Sequence, residues 1–434
     1  MRKTMKDKEI GQYCIETLGQ AGAQKAQCLL QHKEKHELNV ENGQISLFRT
    51  TYDTNLYLTG ILDEQKGSVS VNSVSKTALK QAVAEVITLA QASQADSAYD
   101  IAGQQPPKEF SSGPVTPELD LIYAKLTRFL DYCKTTYPNT IQEQIIFDFT
   151  MKHNYFQNSN GVDFVAHQGN YNFTTMFTSK EGKNTSSFNY SGFSSKHLDK
   201  ELWEFGSLNT LLRQSSEQIT TRMLPGKMVG DLIITPDCLG DFIEFVTGFL
   251  RDHALIAGTS IFKDKLQKSI ADEKLTLYSR PASEEIADGY FFTQDGFEAQ
   301  NSTIIEKGVL QTFLLSLYGS RKTQKPRAVN DGGAYIVEPG KRTFEKIIQS
   351  VRKGILLSRF SGGQPSDNGD FSGVAKNSYY IENGEIQYPL SETMISGNLA
   401  HLLKNIRNIS QERIDFGSAI VPWIQVSGIT ISGK

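Results

Sequence analysis

Long apolar runs are missing from this chain of 434 residues. None approaches the roughly 20 residues needed to cross a bilayer, so no transmembrane helix is expected. The basic N-terminus, MRKTMKDKEIGQYCIETLG, lacks the apolar centre of a secretory signal, and none is expected there either. Cysteine is scarce: Cys14, Cys28, Cys133 and Cys238 are scattered without CxxC spacing, and none follows residue 238. That pattern argues against a disulfide framework and fits reduced thiols, hence a cytoplasmic location. An excess of either charge is also absent, with 45 Lys and Arg against 48 Asp and Glu, a net charge of −3. Duplex binders need a cationic surplus, so direct nucleic-acid binding is disfavoured.

Catalytic signatures are equally thin. There is no GxSxG elbow, and the Gly-rich SGGQPSDNGDFSG (361–373) lacks the GK[ST] ending of a phosphate loop. Its Asp367 and Asp370 are wrongly spaced for an EF-hand. Seven histidines are present, but no HExxH. In the nearest match, His32-Lys33-Glu34-Lys35-His36, the run reads as a strand, which would hold the two imidazoles about 13 Å apart, too far to share one ion. His253 is expected to end a helix over 236–255 as a partner of its C-terminal dipole. Cys238 reads as a half-buried thiol near that helix's start.

What is present is a patterned, core-forming sequence, 38% hydrophobic and 21% charged. A helix over 6–23 precedes strand-like runs at 25–40, 44–51, 54–62 and 67–74, with Asn42-Gly43 as a hairpin turn. Ser75 caps a helix through 92, and 93–116 reads as a surface connection. Thr116-Pro117-Glu118 opens a helix to about Tyr137. A second meander follows, from about 143, with runs at 143–152, 162–168, 171–178 and 184–191, then a helix near 198–222. After Gly226 come a short strand, the 236–255 helix, hairpins at Lys307-Gly308 and Asn383-Gly384, two short helices at 342–354 and 397–409, and a closing strand at 422–432. The expected class is α+β. An N-terminal domain (1–225) combines helices with antiparallel meanders. A C-terminal domain (226–434) is mainly antiparallel β, barrel- or sandwich-like, with a few helices.

The second half carries an ordered set of segments: DLIITPDCLGDFIEFV, GTSIFKDKL, NSTIIEKGVLQTFLLSLYGSRK, then GDFSG, IENGEI, YP and SGNL within 361–398. Together with the N-terminal run LFRTTYDTNLYLTGILDEQKGSVSV, these resemble the TldD/PmbA family, historically called modulator of DNA gyrase. The resemblance spans nearly the whole chain. It implies two subunit types: a zinc peptidase with HExxxH on the helix after the mid-chain strand and a Cys ligand near the C-terminus, and a PmbA-like (TldE-like) subunit without them.

Here that helix reads PDCLGDFIEFVTGFLRDHAL, with Phe and Ile where the ligands would fall. The resemblance therefore implies a metal-free, non-catalytic subunit of a cytosolic complex that degrades or processes short or unfolded peptides. Zinc is expected in a TldD-like partner, and a homodimer when the chain is alone. The chain alone is expected to be inactive, with no catalytic and no metal-binding residue. Asp370, Phe371 and Ser372 are the candidates for a substrate-cleft loop, against the plainer alternative that Asp370 and Ser372 only close a turn. The competing functions are a non-enzymatic peptide-binding or structural homo-oligomer, and an indirect modulator of DNA gyrase.

Overall fold

A computed structural model describes residues 5–433; the first four residues of the basic N-terminal stretch lie outside it. The elements of the first half are α1 (Asp7–Gln20), β1 (Lys25–Glu41), β2 (Gln44–Leu62), β3 (Gln65–Val71), α2 (Lys76–Ala92), β4 (Lys108–Ser112), α3 (Leu119–Thr136), β5 (Thr140–Asn158), β6 (Asp163–Glu181), β7 (Asn184–Thr185), β8 (Asn189–Ser195) and α4 (Leu208–Glu217). The second half holds β9 (Lys227–Ile234), α5 (Pro236–Gly248), α6 (Asp252–Ile256), β10 (Leu277–Ser279), β11 (Ser302–Glu306), β12 (Val309–Leu310), α7 (Leu317–Thr323), β13 (Tyr335–Val337), α8 (Phe344–Gln349), β14 (Lys353–Leu357), β15 (Arg359–Gly362), β16 (Asp370–Lys376), β17 (Tyr379–Glu382), β18 (Glu385–Pro389), β19 (Thr393–Asn398), α9 (Leu399–Lys404), β20 (Ile406–Asp415) and β21 (Ile420–Ser432). The class is α+β.

The first eight strands form one curled sheet, ordered β3-β2-β1-β5-β6-β4, with β7 and β8 also on β6. Its pairings are antiparallel except β4 on β6. Period-two alternation gives this sheet two unlike faces. On one, Leu30, Leu38, Leu56, Phe147, Phe149 and Phe173 pack under α1 to α4. The other carries Gln31, Lys33, Lys35 and Glu37 beside Asp148, Thr150, Lys152 and Asn154, and then Gln168, Asn170 and Asn172. Lys35 there bonds Glu37 and reaches Asp148 at 3.3 Å, and Asn172 Nδ2 donates to Asp148 at 2.9 Å.

The remaining strands form a thirteen-stranded mixed sheet centred on β21, β9 and β14, where β14 runs parallel to β9 and β21 antiparallel. The run Leu232-Ile233-Ile234 explains that centre. Leu232 and Ile234 pack with α5 and α9, while Ile233 packs against α8, so the strand is buried on both faces. The two sheets are tied together by Gln168 Nε2 to the carbonyl oxygens of Ala287 and Gly289, by Lys108 to Glu298, and by Ser194 N–H to Phe416 O at 2.9 Å. Among the described residues no helix is long and apolar enough to cross a membrane.

Several expected elements differ. The runs 44–51 and 54–62 are one strand, β2, and 162–168 and 171–178 are one strand, β6. Polar residues at those breaks belong to continuing strands with exposed or polar faces. The surface connection at 93–116 contains β4 and buries Ile101 and Ala102. The helix after Pro117 starts at Leu119, with Glu118 at the cap position making no side-chain cap bond. The 198–222 helix shrinks to a turn at Leu202–Glu204 and α4, because Gly206 turns left-handed at φ +56° between them. The expected run 184–191 is two short strands, β7 and β8. The 236–255 helix breaks after Gly248, where Arg251 is extended, so His253 lies in the separate α6. Helices expected at 342–354 and 397–409 are confined to α8 and α9, with β20 taking over at Ile406, and α7 was not foreseen. The three Xaa-Gly hairpins are as expected: Asn42-Gly43, Lys307-Gly308 and Asn383-Gly384 all have positive φ at both positions.

Candidate functional site

Helix α5 leaves β9 through Thr235, with Pro236 at its first position, where a missing N–H costs nothing. Its inner face, Leu239, Phe242 and Val246, is locked into the core by a ring cluster. Phe242 sits 5.6 Å from each of Phe245, Phe360 and Phe371, centroid to centroid. An apolar cavity of about 40 Å³ beside them is lined wholly by apolar residues, including Leu239, Phe242 and Ile243. It offers no polar partner to a water. Cys238 is completely buried, and desolvation, helped by Asp241, pushes its thiol well up, so it is a packed group without nucleophilic character.

The start of α5 forms one wall of an open cleft of about 240 Å³ through Pro236, Asp237 and Gly240. The opposite wall is β8, at Tyr190, Ser191 and Gly192. The same three residues continue into a space of about 290 Å³ bounded by Thr174–Met176 and Gln144. Strand β8 pairs with β6 on one side only, so the outer edge at Tyr190–Gly192 has no strand partner among the described residues. Ser191 Oγ and Gln142 Nε2, both buried near this edge, likewise have no hydrogen-bond partner there.

Asp237 is the one carboxylate at the α5 wall. Ser207 Oγ donates to it, but burial dominates and raises its pKa to about 6, against the favourable helix N-terminus. The sign is that of a carboxyl held protonated by the fold. Below about pH 4 the group costs nothing. Between about 4 and 6 the unfolded chain ionises first, and above about 6 the penalty weighs on the native state. Asp237→Asn keeps an oxygen for Ser207 and cannot ionise. Its stability gain over the parent is expected to be larger at pH 7.5 than at pH 4.5, read from urea midpoints. Equal gains at both pH values would refute the assignment.

The sequence candidates lie elsewhere. Asp370 and Ser372 are exposed at the start of β16, and Phe371 is buried in the Phe242 ring cluster. Asp370 accepts from Asn368 Nδ2 and Asn398 Nδ2, both at 2.9 Å, which closes the turn before β16. None of the three lines the cleft described above. His32 and His36 sit on β1 with separate partners. His32 contacts Thr54 and Asp7, while His36 contacts Glu34 and Thr50.

Sequence reasoning missed Asp237, the open edge of β8, and a row of imidazoles across three strands. In that row His32 registers with His153, and His153 with His167, whose Nδ1 atoms are 2.6 Å apart. Desolvation first, then His167 and His32, lower the pKa of His153. Only strand register brings these residues together, and no local motif signals it. Among the described residues no three His, Cys, Asp or Glu side chains are placed to hold a metal ion. The α5 wall offers a single carboxylate, short of the three or four ligands a zinc ion takes, so these residues do not fit that ion.

The comparisons agree with this architecture. Residues 225–433 match the PmbA/TldA metallopeptidase C-terminal domain, and residues 26–90 match PmbA/TldA metallopeptidase domain 1. The Metalloprotease PmbA homolog of Haemophilus influenzae is 24% identical over 87% of this chain and 86% of its own length. The crystal structure of TldE from Thermococcus kodakarensis superposes with a TM-score of 0.81 at 18% identity, covering 97% of this chain and 99% of that one. A Bacteroides thetaiotaomicron protein named for modulation of DNA gyrase gives a TM-score of 0.86 at 20% identity, over 99% of this chain and 100% of that one. With both domain signatures in order along one fold, the chain belongs to the PmbA/TldD metallopeptidase family.

Proposed function

We propose that this chain is the non-catalytic, metal-free subunit of a cytoplasmic TldD/PmbA-type peptidase, with zinc held by a TldD-like partner bearing HExxxH. The observation that carries this is the inner face of α5. On the helix that follows the mid-chain strand, Leu239, Phe242 and Val246 are packed into an aromatic and aliphatic core. Buried ligands left without a metal would each cost about 1–3 kcal/mol as unpaired polar groups, a cost the apolar set avoids.

In this reading the chain contributes a docking wall. The free edge of β8 at Tyr190–Gly192 can take an extended peptide as an added strand, with main-chain bonds supplying affinity. Substrates are then short or unfolded peptides, since only an extended chain can lie along a strand edge. The gyrase connection in a relative's name is accommodated indirectly, through turnover of a regulator.

The test is the native mass, composition and zinc content of the tagged chain purified from its own cells. A companion of similar size bearing HExxxH, with zinc stoichiometric to the companion, is the expected result. A complex of this chain alone, without zinc or peptidase activity, would replace the proposal with a peptide-binding or structural homo-oligomer. Zinc bound stoichiometrically by this chain alone would refute the metal-free assignment.

A further inference from the structure

The free edge of β8 is shorter than the strand itself. In an antiparallel strand, alternate residues turn both main-chain groups to the same side. Phe188 O, just ahead of β8, accepts from Arg359 Nη1 and Asn377 Nδ2, both at 3.1 Å, and Ser194 N–H donates to Phe416 O at 2.9 Å. The even-numbered residues therefore face away from β6, and the second sheet clamps their row at both ends. Tyr190 and Gly192 lie between the clamps. Asn189 Oδ1 takes the N–H of Tyr190 at 3.2 Å. The carbonyl of Tyr190 and both main-chain groups of Gly192 are left to the cleft, a short window in the edge. Its two ends are unlike. At the Phe416 end the neighbour is main chain. At the other end the Arg359 guanidinium, from β15, lies over the rings of Phe188 and Tyr190, 4.1 and 5.0 Å from their centroids. Stacked in this way, a guanidinium keeps its edge of N–H donors for a planar acceptor. Its bond to Phe188 O is its one hydrogen bond among the described residues. Asp241 on α5 is near enough to feel its charge, but the two form no ion pair. Phe188, Tyr190 and Met176, which registers with Tyr190, are all exposed beside it.

We propose that Arg359, Phe188 and Tyr190 form a subsite at this end of the window for the C-terminal carboxylate of a short peptide that ends in a bulky apolar residue. The chemistry recognised is a carboxylate beside an apolar side chain, and strand direction assigns it to the C-terminus. Strand β8 runs from the Arg359 end to the Phe416 end. A peptide added antiparallel runs the other way, so its last residue reaches Arg359. Added parallel, it would bring its ammonium group to the guanidinium, and like charges oppose that. The antiparallel ladder is also the more stable per residue. A carboxylate can take two parallel N–H bonds from an arginine fork, and Arg359 is half-buried, so water competes less for them. The last side chain of the peptide lies against Tyr190 and Met176, whose thioether adapts to its shape. So few free main-chain groups grip a strand weakly. The anchored end therefore sets both the register and the preference for short chains. This inference rests on the docking edge proposed above and adds the direction, the anchored end and the terminal residue of the peptide.

The experiment uses the full chain and the peptide Ala-Ala-Ala-Ala-Phe, labelled with fluorescein at its N-terminus, as the free acid and as the C-terminal amide. Binding is read by fluorescence anisotropy. The free acid is expected to bind about tenfold or more tightly than the amide. Arg359→Met keeps the stem, removes the fork and is expected to abolish that difference. Tyr190→Ala is expected to weaken acid and amide alike and to keep their ratio. An amide ending in Glu-Phe separates the two sources of a carboxylate. It is expected to bind no better than the first amide, and binding as tight as the free acid would overturn the terminal assignment. The ratio in the parent needs no variant, so a misfolded Arg359→Met does not spare the proposal. Equal binding of acid and amide by the parent, or a ratio that survives Arg359→Met, would overturn this inference and leave the docking edge standing. Binding of neither peptide would overturn the edge, and this inference with it. The subunit and zinc assignments are decided separately, by the composition and zinc content of the native complex.

Discussion

Phe242→Ala is expected to cost this protein about 3–5 kcal/mol, the range for deleting a fully packed ring. Phe242 is 3% exposed and meets three other rings at 5.6 Å, so few neighbours can relax into the space it leaves. It also lines the existing apolar cavity of about 40 Å³, so the new void joins an old one, and the cavity contribution adds to the lost transfer energy. Phe242→Leu should recover more than half of the loss by refilling most of the volume. Phe242→His should fare no better than alanine, because an imidazole there has no hydrogen-bond partner. Urea midpoints of the three variants decide the matter. A Phe242→Ala loss below about 1 kcal/mol would mean that the ring cluster is not the clamp on α5 that its geometry indicates.

The second large effect is expected at Gly417. It has φ +75°, and a Cβ built there would lie 1.7 Å from the carbonyl oxygen of Ser194. Ser194 is backbone of β8, and its N–H donates to Phe416 O; the carbonyl of Gly417 also accepts from Ala287 and Asp288. One turn of the second sheet thus holds the end of the first. Alanine at 417 adds about 1–2 kcal/mol of left-handed strain and a backbone clash that no rotamer can relieve. The turn must withdraw, and the Ser194–Phe416 bond is lost. We expect a loss of several kcal/mol in total, and a parent that melts in one transition to melt in two, with proteolysis appearing between β8 and β9. Gly417→Ala with the parent's calorimetric profile would show that this turn does not couple the sheets.

These two positions mark the limit of what the sequence discloses. The hairpins at Asn42-Gly43 and Asn383-Gly384, the Ser75 cap and the apolar stripe of α5 are local chemistry, and each is legible in a few residues. The merging of 44–51 with 54–62 is not, because Tyr52-Asp53 looks like a break until the neighbouring strand β1 is in place. The left-handed turn at Gly206 likewise cannot be told from an ordinary helical glycine by inspection of 198–222. The candidate site shows the same division. Apolar residues where ligands would fall can be read along α5, whereas Asp237 and the edge at Tyr190–Gly192 meet only after β8 has folded against the second sheet. Asp370 stands out in the sequence by its glycine-rich setting, and the structure gives it the turn-closing bonds to Asn368 and Asn398.

The two-faced curled sheet has a consequence for how such a chain can change over generations. On the helix-covered side every substitution alters a packed volume, so change is slow and must be coordinated among neighbours. Across the same strands, one residue away, Gln31, Lys33, Lys152 and Asn154 can be exchanged for other polar groups without opening a void. The strands under the helices therefore carry a constrained set of residues and a freer one in alternate positions. New preferences for what the polar face touches can arise by single steps, while the scaffold beneath them stays in place.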